Sequence, residues 1–150
     1  MERSINAAML QVTKQIDVRF CEVDAMHIVW HGHYVKYLED GREAFAREFG
    51  LGYHFLEQAG YGIPLVELVI DYKKAVRYGD TLAVETRYVP STTPKICFEY
   101  RIRDAASQQL VCTARTTQVF TNAELQLQLL PPLCFTEWQQ RWLPSLAPIV

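Results

Sequence analysis

The chain has 150 residues, 49% of them hydrophobic and 21% charged, with 15 Lys and Arg against 17 Asp and Glu. That length suits one domain with a single buried core. The net charge of −2 supplies no global field for nucleic acid or an anionic membrane, so any anion site has to be local. No apolar run approaches the roughly 20 residues of a spanning helix, so no membrane insertion is expected. The start, Met1-Glu2-Arg3-Ser4-Ile5-Asn6, lacks a basic stretch followed by an apolar one and does not read as a signal peptide. Cys21, Cys97, Cys112 and Cys134 form no CxxC pair and read as reduced, mostly buried thiols of a cytoplasmic protein.

Between Val12 and Asp24, apolar Val12, Ile16, Val18 and Phe20 alternate with polar Thr13, Gln15, Asp17 and Arg19, which predicts a half-buried strand. From Tyr34 the period becomes helical. Tyr34, Tyr37, Leu38, Gly41, Ala44, Phe45 and Phe49 share one stripe opposite Lys36, Glu39, Asp40, Glu43 and Arg47. The helix is expected to stop at Phe49, where Gly50 can take the left-handed position. Gly41 costs about 1 kcal/mol of helix propensity in mid-stripe, and its two aromatic neighbours point to close approach of a sheet. A short turn of helix is expected around Tyr53 to Ala59.

Period two then returns. Val66, Leu68, Ile70, Tyr72 and Val76 make one predicted strand, and the Gly79-Asp80 turn leads to a second through Leu82, Val84 and Tyr88. Ile96 to Ile102 and Leu110 to Phe120 follow, then a short strand over 125–129 and a terminal helix over 133–143. Short links between strands leave no room for crossover helices. The pattern therefore predicts an α+β fold, its mostly antiparallel sheet of five to six strands wrapped around one long central helix. The whole of 1–150 reads as one domain.

Chemistry concentrates between the first strand and the helix, in Phe20-Cys-Glu-Val-Asp24-Ala-Met-His27-Ile-Val-Trp30-His31-Gly32-His33-Tyr34. Asp24 stands among apolar residues, which suits a general base or nucleophile. Composition alone favours a turn aspartate at a strand end. The helix start has no Ser, Thr, Asp or Asn cap, so its first amides are open either to water or to an oxygen gaining charge. His27, His31 and His33 raise the question of a metal, but nothing besides Asp24 offers a fourth ligand, and partly exposed pocket histidines are favoured. Glu22 reads as an exposed partner. Lys73, Lys74 and Arg77 form the densest basic cluster, fit for nucleotide phosphates or for guarding a sheet edge.

The stretch from Phe20 to Tyr34, continued by Tyr37-Leu-Glu39-Asp-Gly-Arg42, resembles the signature of the 4-hydroxybenzoyl-CoA thioesterase-like hotdog proteins, including the Tol-Pal-type acyl-CoA thioesterases. Val69-Ile-Asp-Tyr72-Lys-Lys-Ala-Val-Arg77-Tyr-Gly79-Asp80-Thr-Leu82 is similar to their second-strand motif, and the likeness spans roughly residues 12 to 122. The resemblance implies a hotdog fold and an acyl-CoA thioesterase without cofactor, its substrate a CoA or carrier-protein thioester. It implies Asp24 as catalytic carboxylate, the His31 amide as oxyanion donor and the His31 side chain as an aid to Asp24. Gly32, Tyr34, His27 and Trp30 would surround the substrate, and Lys73, Lys74 and Arg77 would reach the CoA phosphates. It implies a homodimer or homotetramer with sites at subunit junctions. Three positions depart from the pattern: His27 replaces a usual Gly, His33 a common Asn, and Phe20 a Tyr found in some members. A non-catalytic acyl- or CoA-binding hotdog module and a His-rich metal-dependent site are the alternatives.

Overall fold

A computed structural model describes residues 10–144. Its elements are β1 (Gln11–Asp17), α1 (Tyr34–Phe49), α2 (Tyr53–Gln58), β2 (Leu65–Tyr72), β3 (Thr81–Val89), β4 (Lys95–Asp104), β5 (Leu110–Val119) and α3 (Leu133–Trp142). The five strands form one sheet in the order β1-β3-β4-β5-β2, with every neighbouring pair antiparallel. The expected hotdog architecture is present, with the long helix against one sheet face.

Alternation dictates which face is covered. In β3 the even residues Leu82, Val84, Thr86 and Tyr88 are buried, as are Ile96, Phe98, Tyr100 and Ile102 of β4. The opposite face carries Glu85, Arg87, Glu99, Arg101 and Arg115, with Arg87 paired across strands to Glu99. Onto the apolar face α1 lays Tyr37, Leu38 and Phe45. Strand β2 is an edge and is largely exposed, Val66 at 59%.

Helix α1 has the predicted bounds. Gly50 takes φ 78°, and its amide donates to Ala46 O at 2.8 Å, closing the last turn. The Trp138 indole N–H donates to the Phe49 carbonyl at 2.6 Å, so α3 satisfies another end carbonyl of α1. Gly41 is buried against β3. A Cβ there would collide with Thr86 Oγ1 and lie 3.0 Å from Val84 Cγ1. Overpacking of this kind costs about 1–3 kcal/mol, against a gain of about 1 kcal/mol in helix propensity. Gly41→Ala is therefore expected to lower the urea midpoint despite the better helix former, and a midpoint at or above wild type would show the sheet yielding freely.

The first strand ends earlier than its alternation suggests. Val18 N–H donates to Asp80 O, and Phe20–Glu22 then form a 3-10 turn closed by the Glu22 carboxylate on the Arg19 amide at 2.7 Å. Phe20 is consequently 75% exposed, edge-on to Tyr78. No strand forms over 125–129, where one bridge joins Leu127 to Thr121. Asn122 Oδ1 takes the amides of Glu124 and Gln126, so the backbone donors of this segment are committed locally. The thiols also differ from expectation. Of the four free cysteines only Cys112 is buried and Cys21 is exposed. Burial pushes the Cys112 pKa up to about 12, which leaves that thiol inert at neutral pH.

Candidate functional site

The loop from Val23 to Val29 folds back on itself. Val23 and Val29 form an antiparallel bridge, Asp24 N–H donates to Ile28 O at 2.9 Å, and His27 N–H donates to Asp24 O at 2.9 Å. The reversal is tight enough to put His27 at φ 62°, in the left-handed region. Glycine reaches that region without penalty, which accounts for the Gly usual in the motif at this position. The loop is tied to the rest of the fold from two sides. Trp30 N–H donates to Glu22 O at 3.0 Å, and Val29 N–H to Val76 O at 2.8 Å, just beyond β2.

Glu22 is buried, contrary to its reading as an exposed partner. One carboxylate oxygen accepts both the Arg19 amide and the Tyr37 hydroxyl, the latter at 3.0 Å. It thereby pins the start of the loop to the first turns of α1. Burial, then the bond to Glu22, raises the Tyr37 pKa, so Tyr37 stays a donor.

The loop, the helix entrance and the end of β2 enclose an open cleft of about 320 Å³. Asp24, His31, Tyr34, Lys73 and Lys74 line it together with Tyr72 and small or apolar neighbours. His27, Trp30, Gly32 and Arg77 do not. Arg77 belongs to the Gly79 turn, where its amide donates to Asp80 Oδ2 at 2.9 Å. Asp24 is half-buried. Its Oδ1 accepts the Met26 amide at 2.8 Å, and among the described residues nothing donates to Oδ2.

His31–His33 form a 3-10 turn leading directly into α1, with no side-chain cap at either start. His33 N–H donates to Trp30 O at 3.0 Å. Among the described residues the amides of His31 and Gly32 have no acceptor, so two N–H groups remain at the positive end of a 16-residue helix. Gly32 has a steric reason as well: a Cβ there would overlap the Trp30 ring. That ring lies between two histidines, its centroid 4.9 Å from His31 and 5.5 Å from His33. Among the described residues no three His, Cys, Asp or Glu side chains converge as metal ligands.

Tyr34 is buried at the cleft floor, edge-on to Tyr72 at 4.9 Å, and burial pushes its pKa up to about 12. Lys73 and Lys74 both donate their amides to Val111 O, which fixes their backbone where β2 leaves the sheet. Lys74 Nζ bonds Gln109 Oε1. The cleft thus joins one carboxylate, His31 with its free amide and two lysines, and the second free amide, that of Gly32, follows next in the chain. Two links escaped the sequence reading: the burial of Glu22 and a bond from Tyr72 to the His31 carbonyl. The latter spans 41 positions, and no local pattern encodes such a pairing.

Comparison with known proteins shows the family and the fold. The family model described as the thioesterase-like superfamily matches residues 18–143. "Putative acyl-CoA thioesterase YneP" of Bacillus subtilis is 31% identical over 125 residues, covering 83% of this chain and 90% of that protein. A 1,4-dihydroxy-2-naphthoyl-CoA thioesterase from Synechocystis superposes with TM-score 0.77 at 22% identity, over 91% of this chain and 97% of that one. A 4-hydroxybenzoyl CoA thioesterase complexed with 4-hydroxybenzoyl CoA gives TM-score 0.73 at 20% identity, over 85% and 97%. The chain belongs to the thioesterase-like superfamily and is a thioester hydrolase of the hotdog type.

Proposed function

We propose that the chain hydrolyses an acyl-CoA-type thioester to the free acid and the thiol, with Asp24 as its central catalytic group. The observation that carries this reading is the meeting of a carboxylate with one free oxygen and a helix entrance with two free amides beside one cleft. In the proposed reaction the thioester carbonyl oxygen faces the His31 and Gly32 amides. Asp24 Oδ2 takes a proton from water as the hydroxyl adds to the carbonyl carbon. The C–S bond then breaks, and the thiolate leaves and is protonated. Direct attack by Asp24 would pass through a mixed anhydride to the same products. The amides stabilise the charge gathered on oxygen in either route, and His31 borders the same space. Lys73 and Lys74 would receive CoA phosphates, with Arg77 further along the same segment.

The proposal includes self-association. Among the described residues strand β2 has a free edge with exposed Leu65, Val66 and Val69, and such an edge can pair with a second copy to give a homodimer, or pairs of dimers a homotetramer. Four unpaired cysteines suit a reducing compartment such as the cytoplasm. No described helix is long and apolar enough to cross a membrane.

The test is free-thiol release from a panel of short, long, aromatic and hydroxylated acyl-CoAs and one acyl-carrier-protein thioester, with and without chelator. Release from at least one thioester, unaffected by chelator, is the expected result. Thermal stabilisation by CoA without any release would identify a binding module instead. Activity lost to chelator and restored by zinc would point to His27, His31 and His33.

A further inference from the structure

Tyr72 closes β2 at the wall of the cleft. Its hydroxyl donates to the main-chain oxygen of His31 at 2.7 Å, joining the sheet edge to the helix entrance. That oxygen is half of a single planar amide, the other half being the N–H of Gly32. A donor on the oxygen draws electron density from the nitrogen, so the N–H becomes a stronger donor, and the same bond fixes the plane in which it points. The neighbouring amide is built alike. The Trp30 carbonyl accepts His33 N–H, and its peptide carries the His31 N–H. Each free N–H at this helix entrance therefore belongs to a peptide whose carbonyl is already bonded. One of these bonds is local to the 3-10 turn, and the other comes from a distant strand.

We infer that Tyr72 is a positioning residue for thioester hydrolysis, its hydroxyl fixing and polarising the His31–Gly32 peptide as an oxyanion donor. This rests on the reading in the preceding section. The phenol is about half exposed and is held from one side. Its ring stands edge-on to buried Tyr34 with centroids 4.9 Å apart. Burial, then Cys112, raises its pKa above the ordinary tyrosine value, so it remains an O–H donor at neutral pH. No proton leaves Tyr72 during the reaction. Its contribution is greatest when the carbonyl of the substrate becomes an oxyanion, and should appear in turnover rather than in substrate binding.

Two variants separate the hydroxyl from the ring. Tyr72→Phe keeps the edge-on contact and deletes only the bond, whereas Tyr72→Leu removes both. Weakening a donor is milder than the 10²–10³ loss for deleting one, so Tyr72→Phe is expected to lower kcat about 3–10-fold. KM should stay within about twofold, the signature of an interaction realised in the transition state. In a proton–nitrogen correlation spectrum of the free protein, the Gly32 amide proton should move upfield in the same variant. A role in packing alone predicts wild-type kcat for the Phe variant and impairment only with Leu. Wild-type kcat in Tyr72→Phe, or an unmoved Gly32 resonance, overturns the inference while leaving hydrolysis standing. Absence of thiol release by wild type from every thioester overturns the hydrolase reading first, and this inference with it.

Discussion

Replacing Asp24 with asparagine is expected to cut thiol release at least about 10²–10³-fold, the scale of losing a single oxyanion donor. The variant is sterically clean. Asn keeps an Oδ1 that can still accept the Met26 amide, so the Val23–Val29 reversal holds its shape. What disappears is the anionic oxygen that no described residue bonds. An amide nitrogen in its place can neither attack the thioester carbon nor take a proton from water. The kinetic pattern should be a fall in kcat with KM little changed, because the lost interaction belongs to the chemical step. Comparison of purified variants by thiol release under matched conditions, with circular dichroism to verify the fold, measures it. Equal rates for the two proteins would remove Asp24 from the mechanism.

The largest structural effect should come from Phe45→Ala, at about 3–5 kcal/mol. Phe45 is fully buried and joins three layers at once. Its ring centroid lies 4.6 Å from that of Phe49 on its own helix, 5.0 Å from Phe98 on β4 and 6.4 Å from Trp138 on α3. Aromatic rings so arranged are too rigid to collapse into the space of a deleted neighbour, and the cavity term adds to the lost transfer energy. Domains of this size hold about 5–15 kcal/mol in total, so the variant should lose a large part of its stability. A thermal midpoint lowered by roughly 6–20 °C is the expected reading. A shift of only a degree or two would mean that α3 or β4 closes over the gap.

The fold was legible where local pattern and tertiary need agree. Tyr34 to Phe49 shows an unbroken apolar stripe and a terminal Gly50, and both bounds follow from them. Gly41 signalled a close approach because a residue so poor for helices stood between large buried ones, and Thr86 is the group it makes room for. The alternation of β3 and β4 is equally direct, since one face is covered and the other carries charge. Alternation failed over 125–129 because it says nothing about a partner strand: Leu125 and Leu129 are 75% and 77% exposed, and Asn122 holds the backbone. Phe20 failed for a related reason, since the Glu22 side chain ends the strand pattern before that residue is reached.

The site was legible mainly through its motif. Residue chemistry alone favoured a turn former over a catalyst at Asp24, and the stretch from Phe20 to Arg42 reversed that preference through its resemblance. Neither route could place Lys73 and Lys74 on the cleft while leaving Arg77 off it, because that depends on where the Gly79 turn begins. Gly32 was open between helix capping and an oxyanion role, and the Trp30 ring supplies a steric demand that neither reading contained.

The indole of Trp138 reaches a carbonyl placed 89 positions earlier in the chain. Strand pairing has a similar reach, with β1 lying against β3 and β2 against β5. While the protein is being synthesised, α1 therefore leaves the ribosome long before the partners of either end of the sheet exist. Its aromatic stripe has to wait uncovered through most of translation, and consolidation of the core comes late and slowly, as expected for a chain dominated by distant pairings.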